Sequence, residues 1–136
     1  MKIAVLGHGT VGSGVCEILW NKNSEVSSAA GKPIELGYVL DIKELGNVPY
    51  SEKYTKDFSA ILSDPEVGTV AECIGGLEPA YSYIKTALEN GKSAVTSNKE
   101  LVSTHGPELI KIAQENNCCY LFEAAVGGGI PIIRPL

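Results

Sequence analysis

The chain begins Met1-Lys2-Ile3-Ala4-Val5-Leu6-Gly7-His8-Gly9-Thr10-Val11-Gly12. Ile3 to Leu6 is an unbroken apolar run, the pattern of a strand buried on both faces of a parallel sheet. The run stops at Gly7. From Val11 to Trp20 the apolar residues Val11, Val15, Ile18 and Leu19 recur at helical spacing. Strand and helix are therefore joined by Gly-x-Gly-x-x-Gly. At such a junction the first glycine permits a tight turn and the second lets a pyrophosphate reach the backbone. The third lets helix and strand pack closely. The unbonded amides and positive dipole end of the helix then face the phosphates. Gly7, His8, Gly9, Thr10, Val11 and Gly12 are accordingly candidate dinucleotide-binding residues, against the plainer reading of a glycine turn that serves packing alone. For His8 a loop position without catalytic duty is the preferred reading.

The same alternation continues downstream. Ile34–Leu40 reads as a second strand and Thr69–Ile74 as a third, ended by Gly75-Gly76. Ser93–Thr96 and Tyr120–Val126 read as a fourth and a fifth. Between them a short helix at Asp57–Leu62 is stopped by Asp64-Pro65. Glu78–Glu89 is helical, with Pro79 in its first turn and Gly91 just past its end. Pro107–Asn117 forms the last helix, and Asn21–Lys32, rich in Ser, Asn and Ala, is expected to be a mobile loop. Strands buried on both faces and separated by helices describe a doubly wound α/β domain of the Rossmann type, with helices on both faces of a parallel sheet. A length of 136 residues fits one such domain, residues 1–136.

Composition narrows the function classes. Apolar residues make up 44% and charged residues 20%, which is globular rather than disordered. Eleven Lys and Arg against sixteen Asp and Glu give a net charge of −5, unsuited to general binding of nucleic-acid backbones. No apolar run reaches the roughly eighteen residues of a membrane span, and the first strand is too short for the core of a signal peptide. Cys16, Cys73, Cys118 and Cys119 form no Cys-x-x-Cys pair. Vicinal Cys118-Cys119 reads as small apolar residues at a strand edge rather than as a redox pair. Reduced thiols in a cytoplasm are expected.

Choice between the two nicotinamide cofactors should fall at Leu40-Asp41-Ile42-Lys43. A carboxylate at Asp41 can accept hydrogen bonds from ribose hydroxyls and repel a 2′-phosphate. Asp41 lies further from Gly12 than the usual spacing of about 20 residues. Lys43 could instead pair with a phosphate, so the sequence leans toward NAD without excluding NADP.

Three further blocks share an order and spacing: Glu72-Cys73-Ile74-Gly75-Gly76, then Gly91-Lys92-Ser93-Ala94-Val95-Thr96-Ser97-Asn98-Lys99, then Phe122-Glu123-Ala124-Ala125-Val126-Gly127-Gly128-Gly129-Ile130-Pro131. With the glycine loop they resemble homoserine dehydrogenase, the NAD(P)-dependent enzyme that interconverts L-aspartate 4-semialdehyde and L-homoserine. The resemblance covers essentially the whole chain. It implies that Ile74 and Gly75 border the nicotinamide ribose and that Lys99 lies beside nicotinamide and substrate as the catalytic residue. An ammonium there could bind a carbonyl or carboxylate oxygen and help to supply a proton as hydride arrives. An isolated Asn-Lys pair would instead read as a solvated lysine near a helix start. Asn98 is either a helix N-cap or a ligand contact.

The resemblance also implies a monovalent cation, sodium, held by the Glu123 side chain with backbone carbonyls of Val126, Gly128 and Ile130. Hard oxygen donors suit such an ion. Gly127–Gly129 serves equally as a hinge between domains. Many family members carry a basic residue at the position of Leu40, which Leu40 cannot replace. The family's substrate and dimerisation domain follows the Gly-Gly-Gly-Ile-Pro segment and has no counterpart in this sequence. Residues 127–136 are thus expected to begin the connection to it, the complete enzyme to be a homo-oligomer, and the fragment to be inactive alone. Two rivals stand beside this reading: the cofactor domain of another amino-acid or semialdehyde dehydrogenase, and a non-catalytic NAD(P)-sensing module.

Overall fold

In a computed structural model, which describes residues 1–122, six strands form one sheet. They are β1 (Lys2–Leu6), β2 (Glu35–Leu40), β3 (Tyr54–Thr55), β4 (Val67–Glu72), β5 (Ser93–Thr96) and β6 (Tyr120–Phe122). Their spatial order is β3-β2-β1-β4-β5-β6, and every neighbouring pair is parallel. The helices are α1 (Thr10–Asn21), α2 (Asn23–Ala30), α3 (Phe58–Ser63), α4 (Ala80–Glu89) and α5 (Lys99–Glu115), with a 3-10 turn at Ser51–Lys53.

The apolar run that opens the chain supplies the middle of this sheet. Ala4, Val5 and Leu6 are wholly buried. Successive side chains point to opposite faces. Ala4 and Leu6 join a core with Ile61, Ile84, Leu88, Leu101 and Leu109, under α3, α4 and α5. Val5 joins a second core with Cys16, Leu19, Leu36, Val39 and Tyr50, under α1. Val26 and Ala30 of α2 pack against that second core. Both faces of the sheet are thereby covered, as the continuous apolar strands required.

Several expectations are corrected. The segment Asn21–Lys32 is not a loop: Asn23–Ala30 is helical. None of its residues is fully buried, and Val26 and Ala30 alone make too short an apolar stripe to announce it. It is pinned through Ser27, whose hydroxyl accepts from the Ile34 amide at 2.9 Å, and through Asn23, which donates to the Ile34 carbonyl. The last helix begins at Lys99, eight residues before Pro107. Asn98 caps it by accepting from the Leu101 amide at 3.1 Å. Pro107 sits inside the helix, where its missing N–H deprives the Ser103 carbonyl of a partner. Ser103 is exposed, so water can take that carbonyl. The third expected strand moves two residues earlier, which releases Cys73 and Ile74 into the loop after β4. β3, two residues long, was not foreseen. Pro79 is the N-cap of α4 rather than part of its first turn. The four cysteines are free thiols. Of the expected fifth strand, Glu123–Val126 lies outside the described residues.

Candidate functional site

The strand order reverses direction between β1 and β4, and ligands of open α/β sheets bind outside the carboxyl ends of strands at such a point. A cleft of about 380 Å³ opens there. One wall is the turn Gly7-His8-Gly9, and a second is the end of β2 at Leu40-Asp41-Ile42. Cys73 and Ile74 from the end of β4 form the third, and Lys56, Pro79 and Tyr83 complete the rim.

The three glycines differ in what surrounds them. Gly7 adopts φ 99°, the left-handed turn that lets the chain leave β1. At Gly12 a Cβ would lie 1.8 Å from the Gly7 carbonyl oxygen, so only glycine allows α1 to pack this closely on the turn. At Gly9 a Cβ would meet nothing within 4 Å. That open space lies at the start of α1. Gly9 is the N-cap residue of α1, with no side-chain cap bond and no acidic residue in the first turn. The unpaired amides and the dipole of a twelve-residue helix thus face a bare backbone at the cleft, an arrangement suited to phosphate. The residues present fit a dinucleotide's diphosphate on these grounds.

Asp41 follows β2 directly. Its Oδ2 accepts from the His8 amide at 2.8 Å and its Oδ1 from the Lys43 amide at 3.0 Å. Partial burial pushes its pKa up, but hydrogen bonds from the Lys43, His8 and Ile42 amides outweigh this and hold the carboxyl below its ordinary value. Asp41 is therefore anionic at neutral pH. The His8 imidazole takes a different direction. Its Nε2 and the hydroxyl of buried Tyr50 share a hydrogen bond at 2.7 Å, with the rings edge to face. This contact ties His8, which also lines the cleft, to the second core through Tyr50.

Ile74 lines the cleft, while Thr10, Val11, Gly12, Gly75 and Lys99 do not. Val11 is 56% exposed on the first turn of α1. Gly75 adjoins Ile74 in the loop after β4. Lys99 is the first residue of α5 and exposed, and its ammonium has no ion-pair partner among the described residues. Glu123, Val126, Gly128 and Ile130, the expected cation ligands, lie outside the described residues. Among the described residues no group of three or more His, Cys, Asp or Glu side chains could hold a metal ion, and no helix is long and apolar enough to cross a membrane.

Sequence reading did not single out Lys56, Tyr83 or Cys73 as cleft residues, because they arrive from separate elements. It also missed the partner of Glu72. This carboxylate, 2% exposed, accepts from the Ile74 and Gly75 amides at 2.9 and 2.8 Å and from the Thr96 hydroxyl of β5. The first two contacts are local and follow from a carboxylate ahead of a Gly-Gly turn. The third joins residues 24 positions apart. No local pattern signals it.

Comparison with known proteins bears on the whole arrangement. Residues 7–123 match the family model described as the NAD-binding domain of homoserine dehydrogenase. A homoserine dehydrogenase of Synechocystis is 45% identical over 140 aligned positions, which cover 100% of this chain and 32% of the relative. A crystal structure of S. aureus homoserine dehydrogenase superposes with a TM-score of 0.83 at 35% identity, covering 96% of this chain and 33% of that one. A hyperthermophilic archaeal homoserine dehydrogenase in complex with NADPH gives a TM-score of 0.71 at 25% identity, over 90% of this chain and 43% of that one. The chain spans about a third of the length of the curated relatives it matches. On sequence and fold together, the chain belongs to the homoserine dehydrogenase family, of which it carries the NAD-binding domain.

Proposed function

We propose that this chain is the cofactor-binding part of an enzyme that interconverts L-aspartate 4-semialdehyde and L-homoserine with a nicotinamide dinucleotide. The observation that carries this reading is the open space at Gly9, set against the uncapped start of α1 at the strand-order reversal. The Gly7–Gly12 turn and the first amides of α1 hold the diphosphate. Asp41 accepts the hydroxyls of the adenosine ribose. Ile74 and Gly75 border the nicotinamide ribose.

The bound nicotinamide supplies hydride transfer, and the protein contributes orientation and electrostatics. As the aldehyde carbon gains hydride, its oxygen gains a proton. Lys99 is the residue of this chain assigned to that oxygen: its ammonium binds it and helps to supply the proton. NAD is favoured over NADP because Asp41 is anionic and because Leu40, 4% exposed and apolar, cannot hold a 2′-phosphate. The archaeal relative bound to NADPH is only 25% identical, which leaves room for a different preference. Glu123 with the carbonyls of Val126, Gly128 and Ile130 is the proposed sodium site. The complete enzyme is proposed to be a cytoplasmic homo-oligomer.

The test is a spectrophotometric assay of the complete gene product with aspartate semialdehyde and NADH or NADPH. Turnover is expected, reduced by about a hundredfold or more in Lys99→Met. Tight dinucleotide binding with no turnover would overturn the catalytic reading in favour of a sensing module.

A further inference from the structure

A buried carboxylate is costly unless donors surround it. Glu72 is the last residue of β4 and 2% exposed, and among the described residues no lysine or arginine pairs with it. Three donors stand in for a cation. Oε2 accepts the Ile74 and Gly75 amides, and Oε1 accepts the Thr96 hydroxyl. Thr96, itself 3% exposed, continues the chain of bonds, its Oγ1 accepting from the Asn98 amide at 2.9 Å. Asn98 then closes a ring. Its Nδ2 donates to the Gly76 carbonyl at 2.6 Å, while its Oδ1 caps the helix that starts at Lys99.

The ring ties together two loops from different strands. One is Ile74-Gly75-Gly76 after β4, and the other is Thr96-Ser97-Asn98 between β5 and α5. We propose that Glu72 is a positioning residue for the nicotinamide half of the dinucleotide. It fixes the Ile74–Gly76 loop and, through Thr96 and Asn98, the start of the Lys99 helix in one mutual register. This rests on the reading of Ile74, Gly75 and Lys99 as the nicotinamide end of the site. Among the described residues the Glu72 carboxylate makes no hydrogen bond to the Gly7–Gly12 turn or to Asp41, so its direct bonds lie at one end of the ligand.

That confinement supplies the test. Dissociation constants are measured for NADH and for ADP, which lacks nicotinamide and its ribose, on the complete gene product and its variants. NADPH and adenosine 2′-phosphate 5′-diphosphate form the parallel pair. Glu72→Gln keeps the shape but turns one acceptor into a donor, so the amides and the Thr96 hydroxyl can no longer all be satisfied. Thr96→Val cuts the ring at its second member, and Thr96→Ser restores the hydroxyl. Glu72→Gln and Thr96→Val are each expected to weaken NADH about tenfold, a typical loss for a charge-assisted bond, with ADP changed less than about twofold. Thr96→Ser is expected to bind NADH as the wild type does. If Glu72→Gln fails to fold, the two Thr96 variants carry the same comparison. Equal loss for both ligands, or no loss for either, would overturn the positioning role while leaving dinucleotide binding intact. Wild-type protein that binds neither ligand would overturn that reading and this one together.

Discussion

A carboxylate offers about four lone-pair positions, and Asp41 turns part of that capacity to the His8, Lys43 and Ile42 amides. Asp41 also lines the cleft, at the end where the adenosine ribose is proposed to lie. Asp41 braces the glycine turn against β2, and in the proposed reading it also presents charge to the ligand. Asp41→Asn keeps an acceptor and removes the charge. The ratio of NADH to NADPH affinity is expected to fall by about tenfold, ~1.4 kcal/mol, in paired calorimetric titrations. An unchanged ratio would remove Asp41 from cofactor choice. Gly12 illustrates a residue whose requirement is purely steric. The Gly12→Ala methyl would meet the Gly7 oxygen far inside van der Waals contact, so the β1–α1 junction must shift. A loss of about 2 kcal/mol or more in denaturant unfolding is expected, within the range for overpacked sites.

At the scale of elements, Asp64, which follows α3, joins the amino ends of β1 and β4 to Tyr38 of β2. Its carboxylate accepts from the Tyr38 hydroxyl at 2.7 Å, the Glu66 amide at 2.9 Å and the Lys2 ammonium at 3.3 Å. The Tyr38 bond foremost, then the Glu66 amide and Lys2, hold its pKa below the ordinary 3.8. The folded chain therefore binds this proton less readily than the unfolded chain does. The stabilisation is fully present above the unfolded value and is lost as pH falls through the lower folded value. Thermal melts should show Asp64→Asn less stable than wild type at pH 7, with the gap closing below about pH 4. A gap that stays constant with pH would assign the effect to shape rather than charge.

The elements also show what sequence can and cannot convey. β1 and α1 were legible because burial on both faces and helical packing each leave a local period, and the glycines stand between them. α2 was not, since its apolar contact is limited to Val26 and Ala30 while polar bonds from Ser27 and Asn23 hold it to Ile34. Pro107 suggested a helix start, but the start signal was Asn98, whose capping role was one of two readings left open. Within the site, the turn and Asp41 were visible as local motifs. The Thr96–Glu72 bond and the His8–Tyr50 contact, 24 and 42 residues apart in sequence, depend on which strands become neighbours.

Across the molecule, the order β3-β2-β1-β4-β5-β6 brings the ends of β1, β2 and β4 to one edge. That edge gathers the glycine turn, Asp41 and Ile74 around one cleft, while Lys99 stands apart on α5. The sheet thus builds the dinucleotide cradle from its central strands and places the proposed proton donor on the helix after β5. The central claim is that a diphosphate lies against bare backbone at Gly9. Isothermal titration of the complete gene product with NADH and NADPH, beside Gly9→Val, tests it most directly. The wild type should saturate with at least one dinucleotide at micromolar concentration. Gly9→Val, whose Cβ would meet nothing within 4 Å, should keep its melting temperature and bind at least about a hundredfold more weakly. Wild-type protein silent toward both dinucleotides at millimolar concentration, or Gly9→Val binding as well as wild type, would contradict it.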